Sequence, residues 1–89
     1  MLHVRISEAG AINNLGVIYM QMQKPQEALA AFQYGIKVAP DDETLYLNLA
    51  RVYVRLGDRA KARDVLQQLL EHKPDSSSAR EALEALRRL

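Results

Sequence analysis

Few residues of this 89-residue chain combine a reactive side chain with a spacing that would support catalysis or metal binding. His3 and His72 are the only histidines, and neither has a second ligand at the spacing that a metal site requires. The carboxylates at 41–43 and the hydroxyls at 76–78 both precede segments with helical periodicity, where capping of a helix start explains them. No histidine is placed by sequence to activate a serine, and no glycine-rich phosphate loop occurs. The sequence therefore predicts no enzyme, no metal site and no cofactor.

Basic residues are concentrated in one stretch, where they could contact nucleic acid or carboxylates. The stretch contains Arg51, Arg55, Arg59, Lys61 and Arg63. Asp58 interrupts the stretch, Asp64 follows it, and the chain carries a net charge of only +1, so nucleic acid is not expected as a partner. Carboxylates are the other ligand class, because a guanidinium can bind a carboxylate through two parallel hydrogen bonds.

The composition is typical of one small globular domain. Hydrophobic residues make up 48% and charged residues 26% of the chain, both ordinary values. The absence of cysteine excludes disulfide bonds. No apolar run approaches the length of a membrane span, and the first residues do not resemble a signal peptide. We therefore expect no membrane partner, and a cytoplasmic location is predicted.

Helix breakers divide the chain into five segments with apolar residues at helical spacing. The breakers are Pro25, Pro40, Gly57 and Pro74. The spacing between them predicts helices at about 9–22, 25–38, 43–56, 59–72 and 77–88. Aspartates 41 and 42, Asp58 and residues 75–77 are the expected N-terminal caps, and Gly57 is expected in the left-handed conformation.

The first eight residues fit two patterns. Leu2, Val4 and Ile6 alternate as in a strand, whereas Leu2, Ile6 and Ala9 fit a helix that continues into the first one. A helix or a disordered segment is favoured, because no partner strand is predicted elsewhere in the chain.

An eight-residue signature occurs twice, with an offset of 34 residues. Its first copy comprises Ile12, Leu15, Gly16, Tyr19, Ala28, Phe32, Gly35 and Pro40, and its second comprises Tyr46, Leu49, Ala50, Tyr53, Ala62, Leu66, Leu69 and Pro74. Repeats of this period stack into solenoids, in which each unit buries its apolar face against its neighbours. The small residues at 16, 28, 50 and 62 should allow close approach of paired helices, and Gly35 is expected beneath the ring of Tyr46 or Tyr53.

These residues resemble the tetratricopeptide repeat (TPR) family, whose pattern is W-x2-L-G-x2-Y, then A-x3-F, then P. The first copy departs from it only at the tryptophan position, and the resemblance covers about residues 9–76. It implies an all-α superhelix of two helix-turn-helix repeats, at 9–42 and 43–76, with an extension at 1–8 and a capping helix at 77–89, all in one domain.

The two ends of the predicted array differ. In the fifth helix, Glu84 and Arg87 stand where the signature has a small residue and a tyrosine, which indicates a solvated cap that ends the array. The start carries no such residues, and Ile12, Ile18 and Met22 are expected near its uncovered face. The alternative function for this chain is therefore self-association through that face, as a homo-oligomer.

In the family, the first helix of each repeat lines a concave surface. Among the residues of those helices that the signature does not use, the candidate groove residues are Asn13, Val17, Met20, Leu47, Asn48, Arg51, Val54 and Arg55. Apolar side chains, amides and two arginines suit a peptide or protein segment with apolar anchors and a carboxylate. The competing interpretation is an ordinary solvated face. Some family members clamp the C-terminal carboxylate of chaperones with lysine, asparagine and arginine, but only Asn48 matches that clamp here.

Overall fold

The computed structural model describes residues 7–89, which form five α-helices with short connections. These are α1 (Ser7–Gln21), α2 (Pro25–Val38), α3 (Glu43–Arg55), α4 (Arg59–His72) and α5 (Ser77–Arg87). All five begin and end within two residues of their predicted bounds, and the described part of the chain contains no strand. The prediction of an all-α solenoid of two helical hairpins and a capping helix is confirmed. The prediction for residues 1–6 lies outside the described residues, while residues 7 and 8 belong to α1.

The turn inside each hairpin has the same backbone hydrogen bonds in both repeats. The Lys24 N–H donates to the Tyr19 carbonyl at 2.8 Å, and the Asp58 N–H donates to the Tyr53 carbonyl at 2.9 Å. This six-to-one bond closes the first helix of each hairpin and needs a left-handed residue just before the donor. That residue is Gln23 (φ 60°) in the first hairpin and Gly57 (φ 80°) in the second, so the conformation expected for Gly57 is confirmed.

Three helices have a side-chain cap at their N-terminus. The N–H groups of Thr44, Lys61 and Ala79 donate to the side chains of Asp42, Asp58 and Ser76, at 3.1, 3.1 and 3.0 Å. The predicted capping segments are therefore right. Asp41 does not cap; its carboxylate lies 4.0 Å from Nδ1 of His72.

The Ser76 hydroxyl has a second role. It also donates to the Glu43 carboxylate, although Glu43 is the first residue of α3 and Ser76 precedes α5. Ser76 is the one buried polar side chain among the described residues. It therefore joins the starts of two helices that are separated in the chain by all of α4.

The core is one cluster that runs from α2 through α3 and α4 to α5, with contacts both within and between the hairpins. Its fully buried side chains include Phe32 on α2, Leu45, Tyr46 and Val52 on α3, and Leu69 on α4. A Cβ atom added at Gly16 would run into the Phe32 ring, which explains the small residue there. A Cβ added at Gly35 would lie 2.9 Å from Leu45 Cδ2 and 3.0 Å from Ile12 Cγ2. The expectation that Tyr46 or Tyr53 covers Gly35 is therefore wrong.

Helix α5 covers the end of the second hairpin. Ala79 and Leu86 are buried against it, whereas Glu84 lies on the outer face with Arg87 at 3.3 Å and Arg88 at 3.6 Å. This division into an apolar inner and a charged outer face is typical of a capping helix. None of the described helices is long and apolar enough to span a membrane.

Candidate functional site

A groove of about 880 Å³ runs across α1, α3 and α5. These helices occupy equivalent places in successive units, so residues 34 apart in the sequence form rows across the groove. One row contains Val17, Arg51 and Ala85, and another contains Gln21, Arg55 and Leu89. The repeat period thus determines which side chains of the three helices meet.

The floor and much of the rim of the groove are apolar. Phe32, Ala50, Ala62 and Leu66 form parts of the floor, and all four are buried core residues. The exposed apolar side chains on the rim include Val17 on α1, Val54 on α3 and Leu89, which follows α5. A ligand side chain entering the groove would therefore lose water on most sides, which favours apolar groups.

A chain of hydrogen bonds crosses from α3 to α1 along the groove. Arg51 Nη1 donates to the Asn48 side-chain oxygen at 3.4 Å, and Asn48 Nδ2 donates to the Asn13 side-chain oxygen at 2.7 Å. Asn13 and Asn48 are both partly buried. The two amides therefore link the hairpins, and the exposed Arg51 guanidinium keeps its other N–H groups for a ligand.

The charge in the groove is unevenly distributed. Arg51 and Arg55 on α3 are exposed, and within residues 7–89 neither has a carboxylate within 4.0 Å. Glu81 on α5 is the single acidic residue of the lining. A ligand carboxylate is therefore favoured beside α3 and disfavoured beside α5.

A family model described as tetratricopeptide repeat matches residues 19–87. This chain belongs to the tetratricopeptide repeat family. Among solved structures, it is similar to the first TPR of Spaghetti (RPAP3) bound to the HSP90 peptide SRMEEVD. The TM-score is 0.60 and the sequence identity is 18%, with 96% of this chain and 97% of the other covered. That likeness shows the fold. No curated protein sequence matches the chain.

The structure places seven of the eight predicted groove residues on this one surface of the repeat array. They are Val17, Met20, Leu47, Asn48, Arg51, Val54 and Arg55. The eighth, Asn13, does not line the groove. Its side-chain oxygen accepts a hydrogen bond from Asn48, which does.

The contribution of α5 was not predicted from the sequence. Glu81, Ala85 and Leu89 lie 34 residues after Leu47, Arg51 and Arg55, and all three line the groove. The same offset that revealed the repeats was therefore the signal that could have found them. The sequence alone predicted no groove residue on α5, where Ser78 and Ala82 were considered only as positions at which a chaperone clamp would need basic residues.

The described residues show no other constellation with catalytic or metal-binding geometry. No three of their histidine, cysteine or carboxylate side chains could share a metal ion. The nearest approach to a cluster is Tyr46, whose ring centroid lies 5.9 Å from that of His72, with Asp41 beyond it. Burial, and secondarily the Asp41 charge, raise the pKa of Tyr46 above 10.0. The Tyr46 hydroxyl donates to the Pro40 carbonyl at 2.7 Å, which is a structural role in the turn between hairpins.

Proposed function

We propose that this chain is a non-catalytic protein-interaction module that binds a peptide or protein segment in the groove across α1, α3 and α5. Its repeats span 9–42 and 43–76, and its cap spans 77–89. The observation that carries the proposal is an apolar groove with two arginines that have no carboxylate partner among the described residues. The ligand class is a segment that combines apolar side chains with a carboxylate.

The apolar part of the groove would supply affinity. Met20 and Leu47 are partly buried and Val54 is exposed. Each therefore still has apolar surface in contact with water that a ligand could bury. Burying one leucine-sized side chain of a ligand contributes on the order of 1.5–3 kcal/mol before the entropic cost of binding is subtracted. Two such anchors would give a weak, reversible complex, as is common for peptide recognition.

The arginines would supply orientation. Arg51 has one long hydrogen bond, to Asn48, so its guanidinium can turn to bind a ligand carboxylate through two N–H groups. Glu81 on the opposite wall repels a second acid, so the ligand carboxylate belongs on the α3 side. We therefore expect the charge of the ligand to select one orientation in the groove.

The solved structure of the first TPR of Spaghetti supports this ligand class, since the peptide named with it has both apolar and acidic residues. It does not support the same ligand for this chain. In the resemblance to family members that clamp chaperone C-termini, the clamp positions in the first and last helices are 13, 17, 78 and 82. They hold asparagine, valine, serine and alanine here, and none of these is basic. A chaperone C-terminus is therefore not the ligand we propose.

The test is a binding measurement with charge-reversal variants of matched chemistry. Fluorescein-labelled heptapeptides with two apolar residues and one acidic residue are screened by anisotropy, each beside its Gln or Asn counterpart. Arg51→Glu with Arg55→Glu should weaken binding of the acidic peptides at least tenfold, about 1.4 kcal/mol. The control is Arg59→Glu with Arg63→Glu, which makes the same charge change on α4, outside the groove. Equal binding by both double variants would contradict the proposal.

A second candidate function is assembly of the chain with itself. The observation in its favour is on α1 and the turn after it, where Leu15, Ile18 and Met22 are 44%, 48% and 53% exposed. Ile12, which was also expected at this face, instead packs inside the hairpin near Gly35. Static light scattering on the full chain checks this function. A mass above 10.0 kDa at micromolar concentration supports it, and a constant monomer mass contradicts it.

A further inference from the structure

The outer surface of α1 is apolar where the equivalent surface of α3 is buried. Leu15 is 44% exposed and its equivalent Leu49 is 5% exposed, while Ile18 is 48% exposed and its equivalent Val52 is fully buried. The difference arises because α2 packs against α3, whereas no described helix covers the outer surface of α1. The packing of α2 against α3 thus shows that a helix can cover the equivalent positions of α1.

The residues of this surface have coiled-coil spacing. Glu8, Ala11, Leu15, Ile18 and Met22 follow one another at intervals of three and four, and all are exposed. This spacing places them in one seam along the helix. We call Ala11, Leu15, Ile18 and Met22 the outer stripe. Glu8 is the one charged residue in the described α1 sequence. A partner with charged side chains would therefore find no opposite charge on the outer stripe.

We infer that the outer stripe is covered by the outer stripe of a second copy of this chain, with the two α1 helices antiparallel. This inference rests on the self-assembly proposed above and specifies its geometry. The two-fold axis passes midway between Leu15 and Ile18. Leu15 of one copy then lies opposite Ile18 of the other, and Ala11 lies opposite Met22.

Three properties of the stripe favour a second copy in this orientation. A two-fold interface joins one patch to itself, and an uncharged apolar patch can do so without repulsion. The antiparallel arrangement places the smallest side chain, Ala11, against the longest, Met22, and so fills space evenly along the seam. In a parallel pair, by contrast, Glu8 would face Glu8 of the second copy. Antiparallel helix dipoles also attract each other.

Cysteine crosslinking can read this geometry directly, because the chain has no cysteine of its own. One full-length variant carries Ala11→Cys and another carries Met22→Cys. In the antiparallel pair, position 11 faces position 22, whereas two copies of position 11 are about 16 Å apart along the helix axis. Disulfide formation requires Cα atoms within about 7 Å. Mixing the two variants in glutathione buffer should therefore give the mixed disulfide at least tenfold faster than either homodimer.

The outcomes separate the geometry from the assembly itself. Preferential formation of the 11–11 disulfide would overturn the antiparallel arrangement and leave self-assembly standing. A chain that stays monomeric by light scattering, with no disulfide formed faster than in 6 M guanidinium chloride, would overturn both.

A second variant tests the stripe without cysteine. Ile18→Glu should raise the dimer dissociation constant at least tenfold, and Val38→Glu, at a 38% exposed position of α2, should leave it unchanged. Equal effects of the two would overturn the inference, with circular dichroism confirming that both are folded.

Discussion

The two hairpins share a backbone pattern but differ in how well their residues suit it. Both close their first helix with the same six-to-one hydrogen bond, formed by Lys24 in one and Asp58 in the other. The second hairpin has glycine at the left-handed position and an aspartate cap, whereas the first has Gln23 there and no side-chain cap at Lys24. The second hairpin is also covered on both sides. The comparison teaches that a repeat conformation is maintained by packing between units, even where the local residues oppose it.

The largest expected effect is a difference in stability between alanine variants of two equivalent leucines, Leu49 in α3 and Leu15 in α1. Leu49→Ala should lower the free energy of unfolding by about 2–5 kcal/mol, because it leaves a cavity in the core. Leu15→Ala should lower it by less than about 1 kcal/mol in the monomer, since Leu15 is half exposed. Urea denaturation at submicromolar concentration measures both. Similar losses would mean that the two helices are equally covered.

The next effect concerns the small positions. Gly16→Ala should destabilise the chain by about 1–3 kcal/mol, because the new Cβ meets the Phe32 ring. The equivalent Ala50→Gly should cost about 1–2 kcal/mol, through backbone entropy and the loss of a buried methyl group. Thermal unfolding by circular dichroism checks both. A neutral Gly16→Ala would show that Phe32 can move aside.

Helix caps should give the third effect. Asp58→Ala should lower stability by about 0.5–2 kcal/mol, because the Lys61 N–H loses its acceptor. Lys24→Asp should raise it by a similar amount, since it supplies the acceptor that α2 lacks. Denaturation midpoints of the two variants should therefore move in opposite directions, and movement in the same direction would contradict the comparison.

Tyr46 gives an effect that depends on pH. Tyr46→Phe should cost about 0.5–1.5 kcal/mol at neutral pH, because the hydroxyl no longer donates to Pro40. The pKa of Tyr46 is raised in the folded chain, so its neutral form stabilises the fold. That contribution is complete below about pH 10 and is lost as the pH rises through the folded-state pKa. Stability measured between pH 9 and 11 should fall less in the Phe variant than in the natural chain.

The smallest effect is at the left-handed turn residues. Gln23→Gly should raise stability by about 0.5 kcal/mol, since relief of the positive φ exceeds the entropy that glycine adds to the unfolded chain. Gly57→Ala should lower stability by about 1 kcal/mol, because alanine resists φ 80°. Differences in urea midpoint resolve both. A destabilising Gln23→Gly would show that the glutamine side chain makes a compensating contact.

The helices were predictable because the proline, glycine and capping residues have local effects that do not depend on the rest of the fold. The sequence predicted less well how each helix is rotated about its own axis. Leu45, and not its neighbour Tyr46, covers Gly35 because successive residues on a helix point about 100° apart, and the sequence alone did not settle which one faces inward.

The groove was predictable to the extent that it depends on the repeat period. The family resemblance placed the residues of α1 and α3 on one surface, and seven of the eight line it. Asn13 could not be assigned, because an amide on that surface can serve either a ligand or a neighbouring helix, and here it bonds to Asn48. Whether the amide bonds to a ligand or to a neighbouring helix depends on the distance between the helices, which the sequence does not give.

The Ser76 hydroxyl, which caps α5 and also donates to Glu43 at the start of α3, has a consequence for how the array opens. In a linear array, a terminal helix frays independently unless it is tied to more than its immediate neighbour. Here the hydroxyl that caps α5 also bonds to the first residue of α3, whose own N-terminal cap is Asp42. We therefore expect opening of α5 to be coupled to opening of the first turn of α3, which amide exchange with solvent would detect.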